Sequence, residues 1–269
     1  KYNRAAIIMK KAVPILLLVI LFGGAAWYSF VKEPAEVHEL PVEPAAPVIQ
    51  VTEKAPEPEP SADDIVVEIE PEPVILPDPL LPLNESDPQF SQELSAVVGA
   101  EALAEYLVKS QAISRLVAML DSLTSRQVPV QTNPIKPADG KFIADAEGER
   151  YVMSVQNFAR YDGYIAMLQS TDTDALLALY QRFYPLFQQA WEDIGGSGQF
   201  SQRLNVVIDH LLETPDVPGP VYLTKPEAFY LFDEPELEAL TAGQKILIRM
   251  GSVNASIVKE KLREVQETL

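Results

Sequence analysis

From residue 83 onward, apolar residues recur at three- and four-residue spacings, and glycines and prolines cut the pattern into helix-sized pieces. Ser86-Asp87-Pro88 reads as a helix start, with Asp87 as N-cap, Pro88 at the first helical position and Gly99 as the stop. A second helical stretch is predicted over 101–123, broken near Ser110, with Leu103, Leu107, Ile113, Leu116 and Leu120 on its apolar face. Pro129, Pro134 and Pro137 make 128–140 a loop, and the segments 141–145 and 149–153 flank a short hairpin turn at 146–148. Helices then follow over 155–169 and from Asp172 or Asp174 to 194. Leu176, Leu179, Phe183, Phe187, Trp191 and Ile194 stripe the latter, and Pro185 is expected to kink it. Gly195-Gly196-Ser197-Gly198 predicts a flexible break before a helix over 200–212. The proline-rich connection 215–226 has room for a short strand at 221–223. Pro235 opens a short helix, Thr241 caps the next, Gly251 ends it, and Ser252 caps the last. The fold class is mainly α: a helical domain over 84–269 carrying a small β-hairpin, large enough to bury its own core.

The pattern upstream is of another kind. Residues 12–31 are 20 uncharged, mostly apolar positions. As a helix rising about 1.5 Å per residue they reach roughly 30 Å, the depth of a bilayer's hydrocarbon core. Residues 1–11 hold four basic side chains and no acid, and Trp27, Tyr28 and Phe30 crowd the far end. Bases before the span and aromatics after it are the marks of a single-pass transmembrane helix, with a short cytoplasmic N-terminus and the rest of the chain beyond the inner membrane. A cleaved signal peptide is the alternative, since 13–22 suits an apolar segment and Gly24-Ala25-Ala26 a cleavage site. Residues 32–83 hold 12 prolines and 13 acids against two lysines, a composition that favours an extended acidic spacer over a packed core. Its β-prone island at 65–69 is a candidate for pairing with a partner's sheet edge.

Composition narrows the chemistry. The chain has no cysteine and two histidines, His38 and His210, which excludes disulfides, thiolate metal sites and multi-histidine metal centres. A net charge of −18 argues against nucleic acid as a partner. No phosphate-loop, dinucleotide or zinc-peptidase motif occurs, and Gly195–Gln199 lacks the second glycine of a nucleophile elbow. Ser256 and Lys259 stand at Ser-x-x-Lys spacing without the companion signatures of that chemistry, so they read as a helix-surface pair. The acid pairs Asp172/Asp174 and Glu192/Asp193 fall at helix ends, where caps and solvated acids belong. No catalytic residue, metal ligand or cofactor site is assigned.

Two clusters remain as binding candidates. Arg160, Tyr161, Asp162, Tyr164 and Tyr184 lie in an aromatic-rich region, and such rings beside an arginine would suit a platform for sugars such as peptidoglycan; helical spacing favours an aromatic core with one ion pair at its edge. His210 follows Asp209, but adjacent helix residues do not face each other, so the histidine reads as a partly buried one bonded to backbone.

Leu83-Asn-Glu-Ser-Asp-Pro88, Asn157-Phe-Ala-Arg-Tyr-Asp162, Arg182-Phe-Tyr-Pro185, Val207-Ile-Asp-His-Leu-Leu212 and Leu240-Thr-Ala-Gly-Gln-Lys-Ile-Leu-Ile-Arg-Met-Gly251 resemble, in this order, a bacterial family catalogued as domain of unknown function 3014. The resemblance implies a hydrophobic anchor, a Pro/Glu-rich stretch and a helical C-terminal region in a Gram-negative envelope, and it implies no reaction. Together these readings predict a non-enzymatic protein of the inner membrane whose periplasmic domain docks onto an envelope or inner-membrane protein. The alternatives are a cell-wall domain or an accessory subunit held to a membrane complex through 12–31.

Overall fold

The computed structural model describes residues 78–268, apart from 109, 130–132, 137, 139 and 228. The expected membrane span, the 65–69 island and the spacer as far as residue 77 lie outside these residues. Residues Leu80–Leu269 belong to one structural unit.

A 3-10 turn at Leu83–Glu85 leads into α1 (Asp87–Val98), and Gly99, at φ 90°, turns the chain into α2 (Ala100–Tyr106). The left-handed residue Gln111 (φ 52°) then starts α3 (Ala112–Ser122), so the expected break near Ser110 separates two helices. Asp87 does not cap its own helix. Ser86 holds the N-cap position of α1, and the Asp87 carboxylate accepts from the backbone N–H groups of Gln111 (2.6 Å) and Ala112 (2.8 Å). Those donors have no partner within α3, and an anion at a helix start also meets the positive end of its dipole. The capping letter was legible, but the helix it serves lies 25 residues on. The following loop is tied down as well: Leu107 and Ile135 form an antiparallel bridge, with Val108 N–H donating to Pro134 O (2.7 Å).

Strands β1 (Ala144–Glu147) and β2 (Arg150–Met153) form the expected hairpin, turning at Gly148 and Glu149. They are half of a larger element. Strand β3 (Tyr222–Thr224) pairs with β2 through Tyr151↔Leu223, and β4 (Leu231–Phe232) pairs with β3, giving a four-stranded antiparallel sheet in chain order. The expected helix over 155–169 is likewise two elements, a 3-10 helix at Val155–Tyr161 and α4 (Asp162–Ser170). Asn157, 1% exposed, explains the tight start. Its Nδ2 donates to the carbonyls of Ile143 (2.6 Å) and Ser154 (2.8 Å), and its Oδ1 accepts from Ile143 N–H (2.9 Å), clamping this turn to the hairpin's entry.

Helix α5 (Thr173–Asp193) runs through Pro185, and Asp172, not Asp174, caps it by accepting from Ala175 N–H at 2.7 Å. Its predicted stripe is buried except for Ile194, which is 45% exposed. The glycine-rich segment after it is folded onto the helix. A side chain at Gly196 would place its Cβ 2.1 Å from the Trp191 indole, and Gln188 Nε2 donates to Gly198 O (3.1 Å). Then come α6 (Phe200–Leu212), α7 (Pro235–Glu238), α8 (Ala242–Arg249) and α9 (Ser252–Thr268).

Two hydrophobic clusters result. The larger gathers α1–α6, α8 and α9, with Phe90 meeting Phe183 edge-on at 5.1 Å and Phe187 stacked on Phe200 at 6.2 Å. The smaller lies against the sheet around Met153, Leu223, Phe232, Leu237 and Ile248. Helix α8 belongs to both: Ile246 and Leu247 enter the first, Ile248 the second.

Within the larger cluster the Tyr180 hydroxyl is enclosed without a hydrogen-bond partner, and burial pushes its pKa upward. An enclosed orphan hydroxyl costs about 1–3 kcal/mol. Tyr180→Phe should therefore raise the urea midpoint, by an increment worth about 1 kcal/mol. Asp87→Ala should lower it, by about 1–2 kcal/mol for a lost helix cap. Equilibrium unfolding followed by circular dichroism checks both signs.

Candidate functional site

All eight residues of α8 are buried, including Gln244, Lys245 and Arg249. A helix enclosed on every side must find partners for its polar groups within the protein. Its N-terminus finds them in the end of α3: Ala242 N–H donates to Ser125 O (2.8 Å) and Gly243 N–H to Leu123 O (3.1 Å). These pairs satisfy orphan donors of one helix with carbonyls just past another. Gly243 is needed for that approach, because a Cβ there would stand 2.9 Å from Leu123 O and 2.7 Å from a Leu211 methyl.

Thr241 and Gln244 form a capping box, as the sequence predicts of Thr241. His210 completes it from α6. Its Nε2 lies 2.8 Å from Thr241 Oγ1, and Gln244 Nε2 donates to the His210 carbonyl at 3.1 Å. A histidine against a hydroxyl has the outline of a base and nucleophile, but the third member is missing. Asp209 turns to Gln266, accepting from Nε2 at 2.6 Å, and Thr241 Oγ1 is engaged at the helix cap. His210 therefore joins α6 to α8.

Three cations are buried among the described residues: Lys245, Arg249 and Lys259, at 8%, 7% and 7% exposure. Lys245 pairs with Glu238, whose other oxygen accepts from Phe232 N–H at 2.9 Å. Lys259 donates to Thr214 O and to Asp216 Oδ1, both at 2.7 Å. Ser256 instead donates to Ser252 O (2.8 Å), so the Ser-x-x-Lys spacing builds no nucleophile pair. Arg249 has neither an ion pair nor a hydrogen bond among the described residues. Its guanidinium carbon lies 5.2 Å from the centre of the Phe232 ring, and burial lowers its pKa, opposed by the nearby Tyr161 and Glu238.

Of the residues proposed from sequence, His210 alone takes part in this capping network. Tyr161 is 3% exposed, and burial pushes its pKa up against the pull of Arg160 and Arg249. Tyr164, 4% exposed, donates from Oη to Lys136 O (3.0 Å) and packs on Tyr106 with ring centres 4.5 Å apart. Arg160 donates to the carbonyls of Ala138 and Gly140, each at 3.3 Å. Asp162 is an exposed acid in the first turn of α4. Tyr184 is half-buried on α5 and donates to Gln199 Oε1 at 2.9 Å. A sugar platform needs an open ring face, and Tyr161 and Tyr164 present none; the aromatic-core reading is the one the packing realises.

Reading by residue type missed Lys245, Arg249, Glu238 and Asn157. The available signal was in Lys245-Ile-Leu-Ile-Arg249, two cations at i and i+4 separated only by apolar residues. Another lay in the glycine after it. Gly251 has φ 84°, and a Cβ there would meet the Phe158 ring at 2.8 Å, while Asn254 Nδ2 donates to Phe158 O (3.2 Å).

The architecture defines a mainly helical domain with a small antiparallel sheet, centred on one enclosed, cation-bearing helix. The chain belongs to the family described as Protein of unknown function (DUF3014), whose model matches residues 112–266, more than half of its length. That match takes in α8 with its partners on α3, α6 and α7, and it leaves out α1, α2 and the 3-10 turn before them, where the first of the resembling motifs lies. No curated protein and no solved structure matches the chain.

The Lys259–Asp216 pair carries a pH signature. The hydrogen bond from Lys259, with its charge, holds the Asp216 carboxyl below its ordinary value of 3.8. A carboxyl whose pKa is lower folded than unfolded adds stability above the unfolded pKa and loses it as pH falls through the folded one. Asp216→Asn should therefore lower the urea midpoint at pH 7, and the gap to wild type should close as pH drops below 3.8. The side chain is 84% exposed, so the effect is small and screened by salt.

Proposed function

We propose that this chain is a non-enzymatic envelope protein, held in the inner membrane by residues 12–31, whose helical domain docks onto a protein partner. The length and flanking charges of the apolar run support the anchor, and the proline- and acid-rich stretch supports a spacer that lets a tethered module search for its partner. Among the described residues no helix is long and apolar enough to cross a membrane.

One observation carries the docking reading. Val155 and Val253 are 72% and 73% exposed, on the two segments that the Phe158–Asn254 contact joins. Ile143, 37% exposed, belongs to the strand entry clamped to the first of them. Single exposed apolar side chains are ordinary, but several on adjoining segments mark a surface suited to a partner.

The test compares three full-length chains solubilised from membranes in mild detergent: wild type, a Val155→Asp/Val253→Asp double variant, and one with an unrelated span in place of 12–31. Both valines are exposed, so the double variant should unfold within about 0.5 kcal/mol of wild type. A partner retained by the span swap and lost from the double variant is the expected result. A partner lost on the span swap alone moves recognition into the bilayer and overturns the docking reading.

A further inference from the structure

We infer that the open edge of β1 takes an extended, lysine- or arginine-bearing segment of a partner protein as a further strand of the sheet. This edge is separate from the Val155 and Val253 side chains, so either surface can fail without the other.

The register fixes which backbone groups of β1 face outward. Ser154 N–H donates to Ile143 O (3.1 Å), and in an antiparallel ladder hydrogen-bonded pairs alternate with non-bonded ones. Asp145 and Glu147 therefore bond to β2, while Ala144 and Ala146 turn their N–H and C=O groups the other way. The residue opposite Ala144 agrees, because Met153 N–H donates to Val221 O (2.9 Å), away from β1. Among the described residues nothing pairs with the outward groups of Ala144 and Ala146, and β1 is exposed from Asp145 onward.

The opposite edge of the sheet is closed. Asp233 N–H donates to Tyr222 O (2.9 Å), which turns Phe232 N–H outward, and the Glu238 carboxylate on α7 accepts it at 2.9 Å. An unpaired edge is a template for another chain. The fold blocks that template at β4 and leaves it free at β1.

Side-chain charge selects the occupant. Asp145, Glu147 and the turn residue Glu149 are exposed, and none of their carboxylates has an ion pair or hydrogen bond among the described residues. Arg150, opposite Glu147, gives its guanidinium to Asp233 (3.4 Å) and to the Tyr222 ring (3.9 Å). Like charges set against each other across a ladder are destabilising. A second copy of β1 would bring its own acids to this edge, and so would the chain's island at 65–69, which contains Glu68 and is flanked by Asp64 and Glu70. A strand with basic residues at alternate positions meets Asp145 and Glu147 on one face while its backbone pairs with Ala144 and Ala146.

The experiment titrates the full chain in mild detergent with three short fluorescent peptides: alternating lysine and valine, alternating glutamate and valine, and the lysine–valine sequence with its valine amides methylated. Polarisation reads binding, and mass spectrometry reads amide exchange over 141–153. The plain lysine peptide should bind and slow that exchange, and the other two should not. Methylation keeps the charge but removes strand pairing, so it controls for attraction to the acidic stretch 32–83. Ala146→Pro removes an outward donor at an edge position where proline is tolerated, and should weaken binding by roughly tenfold. Asp145→Lys/Glu147→Lys alters exposed side chains only, guards against a proline variant that does not fold, and should switch preference to the glutamate peptide. Equal binding of the plain and methylated peptides, unchanged exchange over 141–153, or an unaltered preference in the charge-reversed variant overturns the inference. An edge already protected without peptide does so too: protection that grows with chain concentration assigns it to a second copy, and protection lost on deleting 65–69 assigns it to that island.

Discussion

The complete burial of one eight-residue helix organises this domain. Helix α8 stands between the helical core and the sheet core and contributes side chains to both, so no face of it is left for water. An apolar helix could meet that constraint through packing alone. This one carries Gln244, Lys245 and Arg249, and each polar group taken out of water must be repaid by a specific partner. Much of the remaining architecture consists of those partners. The end of α3 supplies carbonyls to the helix N-terminus, α6 supplies His210 and α7 supplies Glu238.

This arrangement also accounts for why certain strings stand out in the sequence. The motif ending at Gly251 is α8 with its cap and its stop. The motif from Asn157 to Asp162 contributes the ring that lies against Gly251. The motif from Val207 to Leu212 contributes His210 and the methyl group against Gly243. Three segments far apart in the chain thus read as one contact set. The Arg182-Phe-Tyr-Pro185 string belongs elsewhere: Phe183 lies in the helical core, and Arg182 Nε donates to Glu93 at 2.7 Å.

The errors of the sequence reading share a cause. Asp87 has the letter of an N-cap and performs that role for a helix 25 residues away. The stretch 225–241 between β3 and α8 hides β4, because a two-residue strand leaves too short an alternation to detect. The glycine-rich break after α5 has the composition of a flexible joint, yet the Trp191 ring lies where any side chain at Gly196 would go. For the aromatic cluster the helical spacing favoured a core over a platform, and Tyr161 and Tyr164 are buried.

What the sequence determined by itself is whatever depends on neighbours along the chain: the helical periodicity, the cap at Thr241, the stops at Gly99 and Gly251, and the mainly α class. Those follow from backbone hydrogen bonding and from the period of the apolar stripe, both complete within a few residues. What only the tertiary structure decided is which polar residues are enclosed and whom they meet. Lys245, Lys259 and Arg249 look alike in the sequence as cations on amphipathic helices. They differ because the packing brings Glu238 to the first and Asp216 to the second, while among the described residues no carboxylate reaches the third. Burial and pairing are properties of the assembled packing, and no local pattern encodes them.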